Sequence, residues 1–290
     1  MPDFAYHRPD TLAEALDILD RHAGEAKVLA GGQSLLPVMA LRLSQPRHVV
    51  DMDRVAELAD LGPRAGGGVT VGAMVRHADV ERSDLVAQEA PLLARTTKLI
   101  GHPAIRSRGT TCGSLAHADP AAELCALALA TGAEIVVRSA TRERVLTPGD
   151  FFVSFLTTAL EPDEMVVEVR FPAPEPRTGG SICEVSRRHG DFALVGVCCS
   201  VTLAVDGTVS GAALSYFGVD STPVRADGAE KRLVGSALDA ATVAAAAHEA
   251  AAQLEPGDDI HATAAYRRHV AEQLTKRALA EAGHRAEGAA

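Results

Sequence analysis

The stretch Arg106–Leu129, RSRGTTCGSLAHADPAAELCALAL, decides how the rest of the chain is read. Gly109, Thr110, Thr111, Cys112, Gly113 and Ser114 carry little side-chain bulk, which predicts a polar loop whose main-chain N–H groups a ligand can approach closely. Asp119 and Pro120 have the residue types of an N-cap and a first helical position. The apolar run AAELCALALA then predicts a helix, and Gly132 suits a left-handed stop. A helix start facing a Gly/Ser/Thr loop is a place for phosphate. The same glycines also fit a reading of turn geometry alone.

A second glycine turn lies upstream. Thr11–Glu14 has the T-x-x-E form of a capping box, and Leu12, Leu16 and Leu19 with Ala15 and Ile18 make a helical stripe that stops near Gly24. KVLA at 27–30 predicts a strand running into Gly31, Gly32, Gln33 and Ser34, followed by a short helix with Pro37 in its first turn. HVVDM at 48–52 is another strand. The N-terminal part therefore reads as a small β/α unit with a glycine turn at its ligand-facing end.

Further on, VTVGAM from Val69, EIVVRS and RVL after Gly132, and EMVVEVRFP at 164–172 predict strands, with helices over 77–83 and 88–99. PAPEPRTGG at 172–180 reads as a linker. Beyond it, SICEVSRR and VGVCCSVTLAVDGTVSGAALSYFGV predict strands joined by an Asp206/Gly207 hairpin, then helices over 229–234, 238–254 and 262–282. The closing EGAA is expected to fray. Strands followed by helices imply an α+β unit, an antiparallel sheet with helices on one face.

Composition narrows the function classes. A chain of 290 residues that is 47% hydrophobic and 23% charged is that of a globular protein with room for two or three modest cores. No run approaches the length of a membrane span, and the start lacks the basic-then-apolar pattern of an export signal, so a cytoplasmic location is expected. The net charge of −10 argues against a nucleic-acid partner. Local basic pairs, Arg106 with Arg108 and Arg187 with Arg188, fit either a small phosphate ligand or a solvated surface.

The five cysteines, Cys112, Cys125, Cys183, Cys198 and Cys199, form no CxxC pair, so buried reduced thiols are expected and no metal or iron-sulfur ligand set. No G-x-G-x-x-G follows a strand, no lysine follows a glycine, and H-E-x-x-H and G-x-S-x-G are missing. Chemistry in this chain is therefore expected from a cofactor.

With LAGGQSLLP at 29–37, IRSRGTTCGSLAHADPAAEL at 105–124, the N-terminal YHRPDTLAEAL and RRHGDFALVGV at 187–197 in that order, the chain resembles the FAD-binding medium subunit of the molybdenum hydroxylases. That family is the carbon monoxide dehydrogenase and xanthine dehydrogenase group. The resemblance covers essentially the whole length. It implies an FAD-binding domain of the vanillyl-alcohol oxidase type over 1–175, with subdomains of about 1–55 and 56–175, and a C-terminal α+β domain over 181–286 of the CO dehydrogenase flavoprotein type.

By the resemblance, Leu29, Ala30, Gly31, Gly32, Gln33, Ser34 and Leu35 hold the pyrophosphate of a non-covalent FAD through main-chain N–H groups. Amides at a turn and a helix start solvate such an anion without a basic side chain. The family's second loop reads T-[IV]-G-G-[NS]; after Gly109, the residues Thr110, Thr111, Cys112, Gly113 and Ser114 occupy it, with Cys112 in place of the first glycine. Thr110 and Ser114 suit hydroxyl contacts. His117, Asp119 and Glu123 follow, Asp119 also as a helix cap and Glu123 as an acceptor for ribityl hydroxyls. Two carboxylates repel a pyrophosphate, so their targets are hydroxyls or the adenosine end. Ile100 and Gly101 match positions bordering the isoalloxazine ring. Arg187, with Arg188 and Asp191, sits where the C-terminal domain approaches the flavin, and a cation near N1 stabilises the anionic reduced ring.

The function implied is an electron-transfer oxidoreductase subunit. A large molybdenum-cofactor subunit hydroxylates the substrate, a small subunit carries iron-sulfur clusters, and the three form a dimer of heterotrimers. The alternatives are a free-standing FAD oxidase or dehydrogenase, and an assembly subunit without flavin.

Overall fold

The computed structural model describes residues 3–289 and contains three main sheets. The first is built by β1 (Ala5–His7), α1 (Leu12–Arg21), β2 (Ala26–Leu29), α2 (Leu35–Ala40) and β3 (His48–Asp51). Its strands run parallel in the order β1-β3-β2, as the β/α alternation requires. The predicted cap holds: the Thr11 hydroxyl accepts from the Glu14 amide at 3.2 Å, while the Glu14 carboxylate accepts from Asp10 N–H at 2.9 Å. Leu12, Ala15, Leu16 and Leu19 form the buried stripe. Each such leucine contributes about 1.5–3 kcal/mol on burial. The strand β1 was not anticipated, since three residues carry no periodicity to read.

After a 3₁₀ turn at Ala56–Leu58 come β4 (Leu61–Pro63), β5 (Gly68–Gly72) and helices α3 (His77–Arg82), α4 (Asp84–Glu89), α5 (Pro91–Thr97), α6 (Pro103–Arg106), α7 (Thr111–His117) and α8 (Glu123–Thr131). Then follow β6 (Glu134–Arg138), β7 (Glu143–Leu146), the single turn α9 (Pro148–Phe151), a ribbon of β8 (Phe152–Ser154) and β9 (Thr157–Thr158), and β10 (Met165–Pro172). The second sheet is antiparallel, ordered β4-β5-β10-β6-β7, so the last strand of the unit lies at its centre. The helix expected over 88–99 is broken at Pro91, where α5 begins after Ala90.

The residues expected as a linker are shorter than the run of prolines suggests: Gly179 and Gly180 already belong to β11 (Thr178–Ser186). Gly179 is needed there because a β-carbon would strike the main chain of Ala282 and Ala286. The third sheet continues with β12 (Ala193–Leu203), β13 (Val209–Phe217) and β14 (Val224–Arg225), in sequential order. The Asp206/Gly207 hairpin forms as expected, with Gly207 at φ +86°.

The chain ends in α10 (Asp227–Leu233), α11 (Ala240–Gln253) and α12 (Ala264–Gly288). The last helix reaches Gly288 and so takes in Glu287 and Gly288 of the closing EGAA; Ala290 lies outside the described residues. These helices pack on one face of the third sheet, and α8 and α5 pack on the other. Strand parity makes the division visible. Cys198 joins the core shared with α8, and Cys199 joins the core shared with α12. The sheet is therefore covered on both faces, and α8, buried on almost every side, is the wedge between the second and third sheets.

Candidate functional site

The stretch Gly109–Ser114, expected as an open loop, is mostly helix. Thr110 is the N-cap of α7, its hydroxyl accepting from the Gly113 amide at 3.1 Å, and Ala118 closes the helix in the left-handed region at φ 51°. Asp119 and Pro120 do not start the next helix. The Asp119 carboxylate accepts from Ala121 N–H at 2.9 Å in a local turn, and Ala122 is the N-cap of α8, which places Glu123 at its first position. Gly132 stops α8 at φ 65°, as expected.

The two small-residue segments meet. A β-carbon added to Gly31 would lie 2.7 Å from Cα of Gly109 and closer still to the Arg108 carbonyl oxygen, so the first turn rests directly on the backbone entering α7. A β-carbon on Gly113 would lie 3.7 Å from that of Ala30. Gly32 takes φ +73°, a conformation that favours glycine. Among the described residues the amides of Gly31, Gly32, Gln33 and Ser34 donate to no protein acceptor, and neither do those of Thr110 and Cys112 at the start of α7. Unpaired amides from two abutting segments form a surface that accepts an anionic, oxygen-rich group without any cation. Leu29 ends β2 and Leu35 opens α2, so the turn is anchored on both sides.

Residues not singled out in the sequence hold this junction. Arg76 donates at 2.7 Å to the Arg108 carbonyl and at 2.7 Å to the Asp53 carboxylate just after β3, tying the first unit to the second. His77 is buried beneath Gly109, and burial with the nearby Arg106 charge lowers its pKa to about 4. It is a neutral spacer whose Nδ1 has no partner among the described residues. The only sequence signal for Arg76 and His77 was their place directly after a predicted strand.

Arg106 does not offer its charge to a ligand. It is buried, bonded to Glu81 at 2.8 Å and to the Ile100 carbonyl at 3.0 Å, and so clamps the Ile100–Gly101 turn, where Gly101 has φ +49°. Beside that turn, His102 packs where a β-carbon of Gly190 would sit, which brings Gly101 close to the Arg187–Asp191 turn of the third sheet. Arg187 is exposed and its Nη1 lies 3.2 Å from His261 Nδ1. Cys112, the departure from the family loop, turns inward: its Sγ lies 3.5 Å from the Val71 carbonyl, and burial pushes its thiol far up, so it is a packing residue. Ser114 and His117 are half-buried in α7.

A cavity of about 790 Å³ opens between the Asp119 turn and the third sheet, lined among others by Asp119, Phe155, Arg187, Phe192, His261 and Arg267. The expected residues thus divide: Gly31–Ser34 lie in the amide surface, Thr110 and Gly113 make the helix cap beside it, and Asp119 and Arg187 face this cavity. Glu123 is buried, and burial followed by the Asp119 charge raises its pKa to about 7. Glu184 of β11, not singled out in the sequence, is raised to about 8 by burial and by Glu123, and its Oε2 has no partner among the described residues. No helix among the described residues is long and apolar enough to cross a membrane.

Comparison with known proteins gives a consistent set of matches. Residues 2–174 match the family described as the FAD binding domain in molybdopterin dehydrogenase, and residues 181–282 match the CO dehydrogenase flavoprotein C-terminal domain. The chain is 39% identical to the 6-hydroxypseudooxynicotine dehydrogenase complex subunit alpha of Paenarthrobacter nicotinovorans over 98% of this chain and 96% of that protein. It superposes on a chain of carbon monoxide dehydrogenase from Hydrogenophaga pseudoflava with a TM-score of 0.94, at 38% identity and 98% coverage of both chains. It superposes on one of quinoline 2-oxidoreductase from Pseudomonas putida 86 with a TM-score of 0.93, at 35% identity and 98% coverage of both. A surface of unpaired amides suited to a diphosphate, on a mixed helix and strand scaffold shared with these flavoproteins, leaves one assignment: the chain belongs to the family of FAD-binding medium subunits of molybdenum hydroxylases, and FAD is its cofactor.

Proposed function

We propose that this chain is the electron-transfer flavoprotein of a heterotrimeric molybdenum hydroxylase that works as a dimer of heterotrimers in the cytoplasm. In this reading its partners are a large subunit carrying the molybdenum cofactor and a small subunit carrying iron-sulfur clusters. The observation that carries it is the abutment of Gly31 on Gly109, which puts two sets of unpaired amides side by side. When bound non-covalently there, FAD supplies the ability to take electrons singly and hand them on in pairs.

The chain's own residues do the rest. The amides of Gly31–Ser34 and of the first turn of α7 hold the diphosphate, while the Thr110 cap fixes the start of that turn. Glu123, poised near pH 7 by burial, accepts hydrogen bonds from ribityl hydroxyls, and Asp119 serves the same region from its turn. The Arg106 clamp presents Ile100 and Gly101 to the ring, and Arg187 supplies a cation from the third sheet. Residues 1–175 form the FAD-binding domain of the vanillyl-alcohol oxidase type and 181–286 the C-terminal domain.

The test is to purify the chain with its native neighbours and alone. The complex should be yellow, lose its flavin on denaturation, and bleach anaerobically with the organic substrate. The isolated chain should carry flavin yet stay oxidised with that substrate. Bleaching of the isolated chain would make it a free-standing oxidase or dehydrogenase, and a colourless complex would make it an assembly subunit.

A further inference from the structure

Three histidines far apart in sequence converge beside the first sheet, His22 and His48 at the end of the parallel strands opposite the glycine turn and His7 reaching them from the end of β1. His7 ends β1, His22 follows α1, and His48 begins β3. Their convergence is fixed by backbone bonds. The His22 carbonyl accepts from Glu25 and Ala26 at 3.0 Å each, and the Glu25 carbonyl accepts from Arg47 and His48 at 3.0 and 3.1 Å. Strand pairing sets Ala5 and Ala26 on either side of His48.

We infer that His7, His22 and His48 form a binding site for a borderline divalent transition-metal ion of the Zn²⁺ class. One ring nitrogen from each lies within 4.8 Å of the other two, and His7 Nε2 is 2.9 Å from His48 Nδ1. Tetrahedral Zn²⁺ with Zn–N bonds of about 2.0–2.1 Å sets its ligand nitrogens roughly 3.3 Å apart, inside that span. The His22 and His48 rings stack with centroids 3.7 Å apart and planes 15° apart, so one ring must turn to aim its lone pair at a shared ion. All three side chains are half-buried, which leaves room for that rotation.

The donor set decides the class of ion. Three imidazoles and no carboxylate suit zinc, copper or nickel and not calcium or magnesium, which require oxygen. Each imidazole would bind such an ion through an unprotonated ring nitrogen. Among the described residues no carboxylate supports these rings from behind, and Arg21, paired with Asp17 at 2.8 Å, adds positive charge nearby. Affinity should therefore fall below that of a buried structural zinc site. Water completes the coordination, and the ion ties the three-residue edge strand β1 to β3 and to the end of α1.

The experiment uses the full flavin-loaded chain without a histidine tag, stripped by a chelator and titrated with Co²⁺, then with Zn²⁺ in competition. One equivalent of Co²⁺ should give a saturable visible d–d band that Zn²⁺ removes, and Zn²⁺ should raise the melting temperature. His48→Ala and His22→Gln should each weaken binding by at least about ten-fold, the scale that even outer partners of a metal site command, whereas His269→Ala on α12 should change nothing. Unaltered flavin content and circular dichroism in these variants separate loss of a ligand from loss of the fold. Absence of saturable Co²⁺ binding in the wild type, or binding that His22→Gln leaves intact, overturns the site.

Discussion

Gly31 lies against Gly109 so closely that a single added β-carbon would come within 2.7 Å of the Gly109 Cα. Neither residue can yield without moving a main chain, because the nearest obstacles are the Arg108 and Gly109 backbones. Gly31→Ala should therefore push the two segments apart, costing about 1–3 kcal/mol as overpacking and removing most of the flavin. Gly32→Val, at φ +73°, and Gly113→Val, beside the Thr110 cap, should also lose flavin while the third sheet stays folded. Gly288→Ala, near the end of α12 with nothing within 4 Å, is the control. Flavin-to-protein ratio and melting temperature read the result, and wild-type flavin in Gly31→Ala would show that the cofactor sits elsewhere.

Arg76 reaches the same junction from the side. Its two bonds of 2.7 Å, to the Arg108 carbonyl and the Asp53 carboxylate, are the link between the end of β3 and the start of α7. Arg76→Met keeps most of the stem and removes both bonds. With charge-assisted bonds worth about 1.5–3 kcal/mol each, the FAD dissociation constant should rise by at least about ten-fold, which corresponds to roughly 1.4 kcal/mol. Equilibrium titration of the flavin-free chain measures it.

Much of this architecture was legible beforehand. The T-x-x-E cap, the period-two strands and the left-handed Gly132 are local signals, and local physics decided them. What was misread turned on competition between local options. Asp119 bonds its own turn instead of capping α8, and Gly109–Ser114 looked like a loop because threonine and glycine are poor helix formers. The two glycine segments were each visible in the sequence, and their contact was implied only by the family resemblance. Arg76, His77 and Glu184 could not be found, since their roles exist only after segments distant in sequence close on one another.

The five cysteines give a prediction that separates packing from reactivity. All five are buried and unpaired, and burial pushes each thiol upward, so none is a thiolate near neutral pH. The native chain should therefore titrate almost no thiol with an aromatic disulfide reagent, and five after denaturation. Cys112→Ala should leave flavin binding in place, because its sulfur faces Val71 on β5 and not the amide surface. Rapid labelling of Cys112 in the native chain would mean that the helix start is open.

Glu123 and Glu184 contribute one component of the pH response of the flavin-free chain. Burial raises them to about 7 and about 8 from an ordinary value of 4.5, helped at Glu123 by the Asp119 charge and at Glu184 by the Glu123 charge. The folded chain then holds more protons than the unfolded chain between these values, so stability is greatest below about pH 4.5 with respect to these groups and falls as pH rises, levelling off above about 8. The slope has an upper limit of about 1.4 kcal/mol per pH unit for each group, and is less for Glu184, which is partly exposed. Glu184→Gln keeps the shape and removes one titrating group. The melting temperature of this variant should be flatter between pH 5 and 8 than that of the wild type, and higher at pH 8, the direction opposite to that of a carboxylate held in an ion pair. An unchanged profile would mean that Glu184 is not held as a raised carboxyl in the folded chain.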